Sequence, residues 1–185
     1  MAEVLPFKAL HYDLGKVGSL DAVAAPPYDV IDAAGRAALL ARSPYNAVAI
    51  DLPKSPDGAS EGEAAGDPYA QAAARIGSWR EEGALVQDEQ PSIWALTQDY
   101  TAPDGSRHSR HGILARVRVE DYESGTVRPH ERTHPGPLLD RLELTRASGY
   151  NLSPIFSLST EDPWPLVEPA LADEPWGEAS DEDGT

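Results

Sequence analysis

The sequence predicts an α/β (α+β) domain, with a mixed sheet that includes an antiparallel hairpin flanked by helices. Three observations predict it. An apolar stripe of helical period runs through "DPYAQAAARIGSWREEG", residues 67–83. Two segments of alternating polarity, "SIWALTQDYT" and "HGILARVRVEDY", lie on either side of the turn "APDG". Beyond them "PLLDRLELTRAS" returns to helical spacing, so helices and strands share one core. With 185 residues, 41% of them hydrophobic, the chain is long enough to bury one.

In chain order, "EVLPFKAL" reads as a short strand interrupted by Pro6. In "VAAPPYDVI" the prolines hold the backbone extended and fix where Tyr28 and Asp29 sit. "DAAGRAALLARS" is a helix capped by Asp32, with Leu39 and Leu40 facing the core. Val48, Ile50 and Leu52 alternate in "NAVAIDLP", which predicts a strand stopped by Pro53. Residues 54–66 are rich in Gly, Ser, Pro and acids and read as a surface loop. The next helix has Asp67 as cap, Pro68 in its first turn and Gly83 as its stop. Its stripe of Tyr69, Ala72, Ala73, Ile76 and Trp79 reads as core packing.

In the hairpin, Trp94, Leu96 and Tyr100 share a face. Ile113, Ala115, Val117 and Val119 face one way, and Arg116 and Arg118 the other, which predicts one buried face. Leu138, Leu139 and Leu142 are the expected inward residues of the following helix, and "LSPIFSLS" a last strand. Residues 1–160 are expected to form a single domain. Residues 161–185 carry nine acids and no Lys or Arg, and are expected to be disordered or the cut end of a longer architecture.

Composition excludes several functions. Without cysteine there is no disulfide, Cys-ligated zinc, iron–sulfur cluster or Cys nucleophile. No apolar run is long enough for a membrane span, and no secretory signal pattern opens the chain, so the cytoplasm is the expected location. A net charge of −16 repels duplex DNA. Residues 107–146 stand apart, with eight Arg against six acids and four of the five His. That stretch is either a solvated charged face or a positive site for an anionic ligand.

"HERTH", residues 130–134, spells the H-E-x-x-H of zinc proteases. The chemistry requires both His on one helical face. Pro135 disfavours helical geometry at His134, and no His follows to serve as third ligand. The zinc-protease reading is rejected and no metal site is predicted; His108 and His111 read as an exposed pair rather than a metal clip. What remains is His130, Glu131 and Thr133 on a Pro-bounded loop before a helix. Arg128 and Arg132 flank it, and Asp140 and Arg141 follow on the helix. Helix starts and Arg forks attract phosphate, and Glu beside His can serve as a general base. The alternative is a loop tied down by its own ion pairs. No Walker-type or dinucleotide-binding glycine fingerprint is present.

The segments "PFKAL", "VAAPPYDVI", "YNAVAIDLP", "HERT" and "DRLELTRASGYNLSPIFSL" resemble, in order, the bacterial family called domain of unknown function 1015. The family pattern is His-Glu-x-Thr, which makes His134 incidental. The resemblance implies a longer protein whose later half carries an Asp-Gly-His-His-Arg segment like that of the ParB/sulfiredoxin-like fold, which includes free-serine kinases. The chain is then an N-terminal portion, expected to be inactive if the phosphate-binding motif lies in that half. The family's blocks add Asn151 and Ser153 to the candidates.

The expected function is thus a small-molecule phosphotransferase of serine-kinase type. His130, Glu131 and Asp140 are its catalytic candidates. Tyr28, Asp29, Arg128, Thr133, Arg141, Asn151 and Ser153 are its candidates for binding substrate or phosphate. The expected partner is a small molecule or nucleotide, with ATP or pyrophosphate and magnesium as the phosphoryl donor. The alternative is a ParB-like partition protein that binds nucleic acid, against which the net charge counts.

Overall fold

A computed structural model of the chain describes residues 2–54, 66–130 and 133–180. Two short strands, β1 (Val4–Leu5) and β2 (Leu10–Tyr12), flank Pro6, which has no N–H to give a ladder. The one-turn helices α1 (Leu14–Val17) and α2 (Leu20–Val23) follow, capped by Asp13 and Ser19. A 3-10 turn, Tyr28–Val30, leaves the double proline. Helix α3 (Ala33–Arg42) starts where Asp32 accepts from the Gly35 N–H at 2.7 Å. The short α4 (Val48–Asp51) precedes α5 (Pro68–Glu81), capped by Asp67 at the Tyr69 N–H, 3.1 Å. Gly83, at φ +76°, then turns the chain into β3 (Leu85–Gln87). After the hairpin β4 (Trp94–Thr101) and β5 (Arg107–Leu114) come β6 (Arg116–Val117) and α6 (Pro135–Ser148). The last elements are α7 (Trp164–Val167) and the 3-10 turn Glu168–Ala172.

Helices and strands thus mix, as the sequence predicts. Among the described residues the strands form three separate antiparallel pairs, β1–β6, β2–β3 and β4–β5, rather than one mixed sheet. The core is Ala49, Ile50, Ile76, Trp79, Ala84 and Leu85, with Leu10, Tyr12 and Tyr45 packed around it. It is delivered by α4, the inner face of α5 and β3. Ile76 is 2% exposed, and burying such a side chain stabilises by about 1.5–3 kcal/mol.

Four expectations are corrected. "NAVAIDLP" is the helix α4, not a strand. Val48, Ala49 and Ile50 are all buried, so an alternating pattern carries no information there. Asn46 makes the turn: its side chain accepts from Val48 N–H at 3.1 Å and donates to the Ala22 and Ala24 carbonyls at 3.0 Å each.

The hairpin has no single apolar face. Trp94 pairs with Leu114 and Ala95 with Ile113, and paired residues point to the same side. Trp94 and Ile113 therefore lie on opposite faces. The run also breaks at Ala115, and Arg116–Val117 pairs with β1 instead. "LSPIFSLS" forms no strand, and Ile155, Phe156 and Leu158 are exposed.

Helix α6 turns Leu138, Leu139 and Leu142 outward and buries Leu144. Its inner stripe is Asp140, Arg141, Leu144 and Ser148, spaced to share one face. Arg141 on this face forms ion pairs with Asp140 and with Asp51.

The acidic segment contains α7, and it docks on distant parts of the fold. The Trp164 ring stacks on His111 at 4.2 Å, and Trp176 meets Trp94 and His11 edge-on at 5.2 and 5.1 Å. The Ser180 N–H donates to Asp21 Oδ1 at 2.7 Å.

Candidate functional site

The inner stripe of α6 meets the end of α4 and the start of α5. Arg141 sits at the centre. Its Nη1 donates to the Asp51 carbonyl at 2.8 Å and to Asp51 Oδ1 at 2.9 Å. Its Nε and Nη2 donate to Asp140 Oδ2 at 3.1 and 2.6 Å. The guanidinium lies over the Tyr28 ring, 4.0 Å from its centre. Ser153 closes the cluster by donating to Asp51 Oδ1 at 2.7 Å. Segments far apart in the chain are fastened to one planar cation.

A second layer sits on Asp140. The Tyr69 hydroxyl donates to Asp140 Oδ1 at 2.7 Å, and Lys54 Nζ donates to the Tyr69 oxygen. Lys54 Nζ is also 3.5 Å from Asp140 Oδ1 and 4.2 Å from the centre of the Tyr69 ring. Burial pushes the Asp140 carboxyl up, but hydrogen bonds from Arg141 and Tyr69 and the two nearby cations outweigh it. Asp140 therefore ionises below the usual carboxylate range. Burial raises the Tyr69 hydroxyl, with Asp140 adding to the shift and Lys54 opposing it. The hydrogen bond to Tyr69 holds the Lys54 ammonium above its ordinary value. These shifts keep Asp140 ionised, Lys54 charged and Tyr69 a neutral phenol at neutral pH.

Four predicted residues are thus brought together: Tyr28, Asp140, Arg141 and Ser153. Asp29 and Asn151 are exposed. Arg128 is exposed and donates from Nε to the Gly125 carbonyl at 3.1 Å. His130 and Thr133 are exposed on the loop before α6. Glu131 lies outside the described residues. His134 caps α6 in extended geometry (φ −66°, ψ 143°), so the helical face that an H-E-x-x-H zinc site requires does not include it. His108 and His111 pair with Tyr100 and Thr97, which places them on opposite faces of the hairpin.

The start of α6 is a poor anion nest. Pro135 and Pro137 have no N–H, and Leu138 N–H is spent on the His134 carbonyl at 3.3 Å.

Three residues of the cluster escaped the sequence reading: Asp51, Lys54 and Tyr69. Tyr69 belongs to the apolar stripe of α5, and only its position in the first turn frees the hydroxyl to reach Asp140. Asp51 and Lys54 straddle Pro53 at the end of a segment read as a strand. Polar residues on both sides of a chain-stopping proline were the available signal.

The family model described as protein of unknown function (DUF1015) matches residues 4–185. The chain is a member of the DUF1015 family. No curated protein and no solved structure matches this DUF1015 chain. The cluster around Arg141 lies wholly within the matched residues.

Proposed function

We propose that this DUF1015 chain binds the phosphate of a nucleotide or pyrophosphate and serves a small-molecule phosphotransferase of serine-kinase type. The observation that supports it is the Asp51–Arg141–Asp140 network, with Tyr69 and Lys54 on its solvent side. A ligand there meets a rigid, half-buried arrangement of charges, which phosphoryl transfer needs more than it needs covalent chemistry from the protein.

In the proposed reaction the hydroxyl oxygen of the substrate attacks the terminal phosphorus of ATP or pyrophosphate. The phosphoanhydride bond breaks, and its electron pair leaves on the bridging oxygen. The hydroxyl proton passes to a carboxylate. Asp140 is a weak base for this, because its hydrogen bonds favour the ionised form. The base in this reading is Glu131, assisted by His130, with Asp140 orienting the cations. Both described carboxylates of the cluster already face Arg141, so magnesium would arrive on the donor's phosphates.

Melting of the whole chain with ATP, pyrophosphate or duplex DNA tests the proposal. A ligand at a hundred times its Kd adds about 2.7 kcal/mol, so either phosphate compound with magnesium should raise the melting temperature measurably. DNA should not, at about 0.15 M salt. A response to DNA with a steep salt dependence, and none to either phosphate compound, favours the ParB-like alternative and ends this reading.

A further inference from the structure

We infer that Lys54, and not Arg141, is the cation that meets the ligand's phosphate. This rests on the phosphate reading above and assigns the contact to a specific residue within the same site.

The two cations of the cluster differ in what they would leave behind. Arg141 has its Nε, Nη1 and Nη2 engaged on two carboxylates and a carbonyl, and its face on Tyr28. Its side chain is 21% exposed. Turning it toward a ligand would take from Asp51 the cation it pairs with and leave Asp140 only Lys54, at 3.5 Å, while both stay partly buried. The fork that makes arginine a good phosphate binder is already committed.

Lys54 is in the opposite position. Its side chain is 51% exposed, on the solvent side of Asp140. When it leaves, Asp140 keeps Arg141 at 2.6 Å and Tyr69 at 2.7 Å. The Tyr69 hydroxyl keeps its acceptor and is left with an open lone pair. No buried polar group loses its last partner. A four-carbon stem lets the ammonium swing outward about its own bonds, and an ammonium binds phosphate as a point charge without a fixed approach. Arg141 then acts as a positioning residue, which fixes Asp140 and through it the resting place of Lys54.

The test is titration calorimetry of the whole chain with pyrophosphate and, in a second arm, ATP, each with magnesium. Wild type, Lys54→Met and Lys54→Arg are compared at one salt concentration. Lys54→Met is expected to weaken binding at least about tenfold, as loss of a charge-assisted contact does. Lys54→Arg should restore part of it. Equal melting temperatures of the three proteins without ligand establish that folding is unchanged. If Lys54→Met binds as wild type does, the assignment to Lys54 is wrong and the phosphate reading stands. If wild type binds neither compound, both fall. Loss for pyrophosphate alone, with ATP unaffected, also overturns the assignment, because a phosphate contact is common to both ligands.

Discussion

Asp140 receives hydrogen bonds from Tyr69 and Arg141 and faces a second cation, so its titration carries a stability signal. Its folded pKa lies below the unfolded one. The sign follows directly: the stabilisation is complete above the unfolded value, about 3.9. It is lost as pH falls through the lower, folded value. Wild type and Asp140→Asn should therefore differ most in urea stability near pH 7, with wild type the more stable. The gap should narrow below about pH 4. A gap of constant size from pH 7 to pH 3 would mean that the loss on substitution is one of packing and not of charge. The same cluster shows what a sequence reveals of a site. Arg141 and Asp140 were legible because adjacent opposite charges on a helix with apolar neighbours are conspicuous, and Tyr28 because two prolines fix it. Their partners were not, because Asp51, Lys54 and Tyr69 acquire their meaning only when three separate segments meet. No local spacing records that meeting.

At the scale of elements, the helices that announce themselves by caps were legible. Asp32 and Asp67 accept hydrogen bonds from the first turns that the sequence assigned to them. The turn of the hairpin was legible too, since Gly105 at φ +83° and the Asp104 side chain on Ser106 N–H are local chemistry. Faces were harder. Which side of β5 matches which side of β4 depends on register, and a shift of one residue exchanges the two faces. The sequence pattern predicts a strand at α4 because its three successive buried residues, Val48, Ala49 and Ile50, have no amphipathic period. Its start depends on Asn46, which is fully buried and makes three hydrogen bonds. Asn46→Ala should leave two carbonyls and an N–H short of partners in the interior. We expect a loss of about 2–4 kcal/mol in urea stability, given about 1–3 kcal/mol for each buried group left unsatisfied and partial relaxation of the site. Asn46→Asp keeps the cap to Val48 N–H but reverses the donors, so it should fare little better. A loss below about 0.5 kcal/mol, within the range of an ordinary surface change, would show that α4 holds its shape without this side chain.

For the whole molecule the question is what holds the acidic segment in place. Its nine acids and the Arg-rich residues 107–146 suggest an electrostatic clasp. The contacts of its described residues are mainly aromatic. Residues 161–180 dock through Trp164 on His111, through Trp176 between His11 and Trp94, and through one hydrogen bond to Asp21. Gly177 lies so close to Leu20 and Leu14 that a Cβ there would come within 2.8 Å of a Leu20 methyl. Among the described residues, no ion pair includes Glu161, Asp162, Glu168, Asp173, Glu174 or Glu178. The net charge of −16 meanwhile opposes compactness everywhere. Salt should then act in one direction only. Raising sodium chloride from about 0.05 to about 0.5 M shortens the screening length from roughly 14 to roughly 4 Å. That weakens self-repulsion and should raise the melting temperature. It should leave hydrogen exchange at residues 176–180 as slow as before, because aromatic contacts are not screened. Trp176→Ala should speed exchange there at either salt concentration. Were the segment held by charge, high salt would free it in the wild type, and exchange at residues 176–180 would rise with sodium chloride while Trp176→Ala changed little.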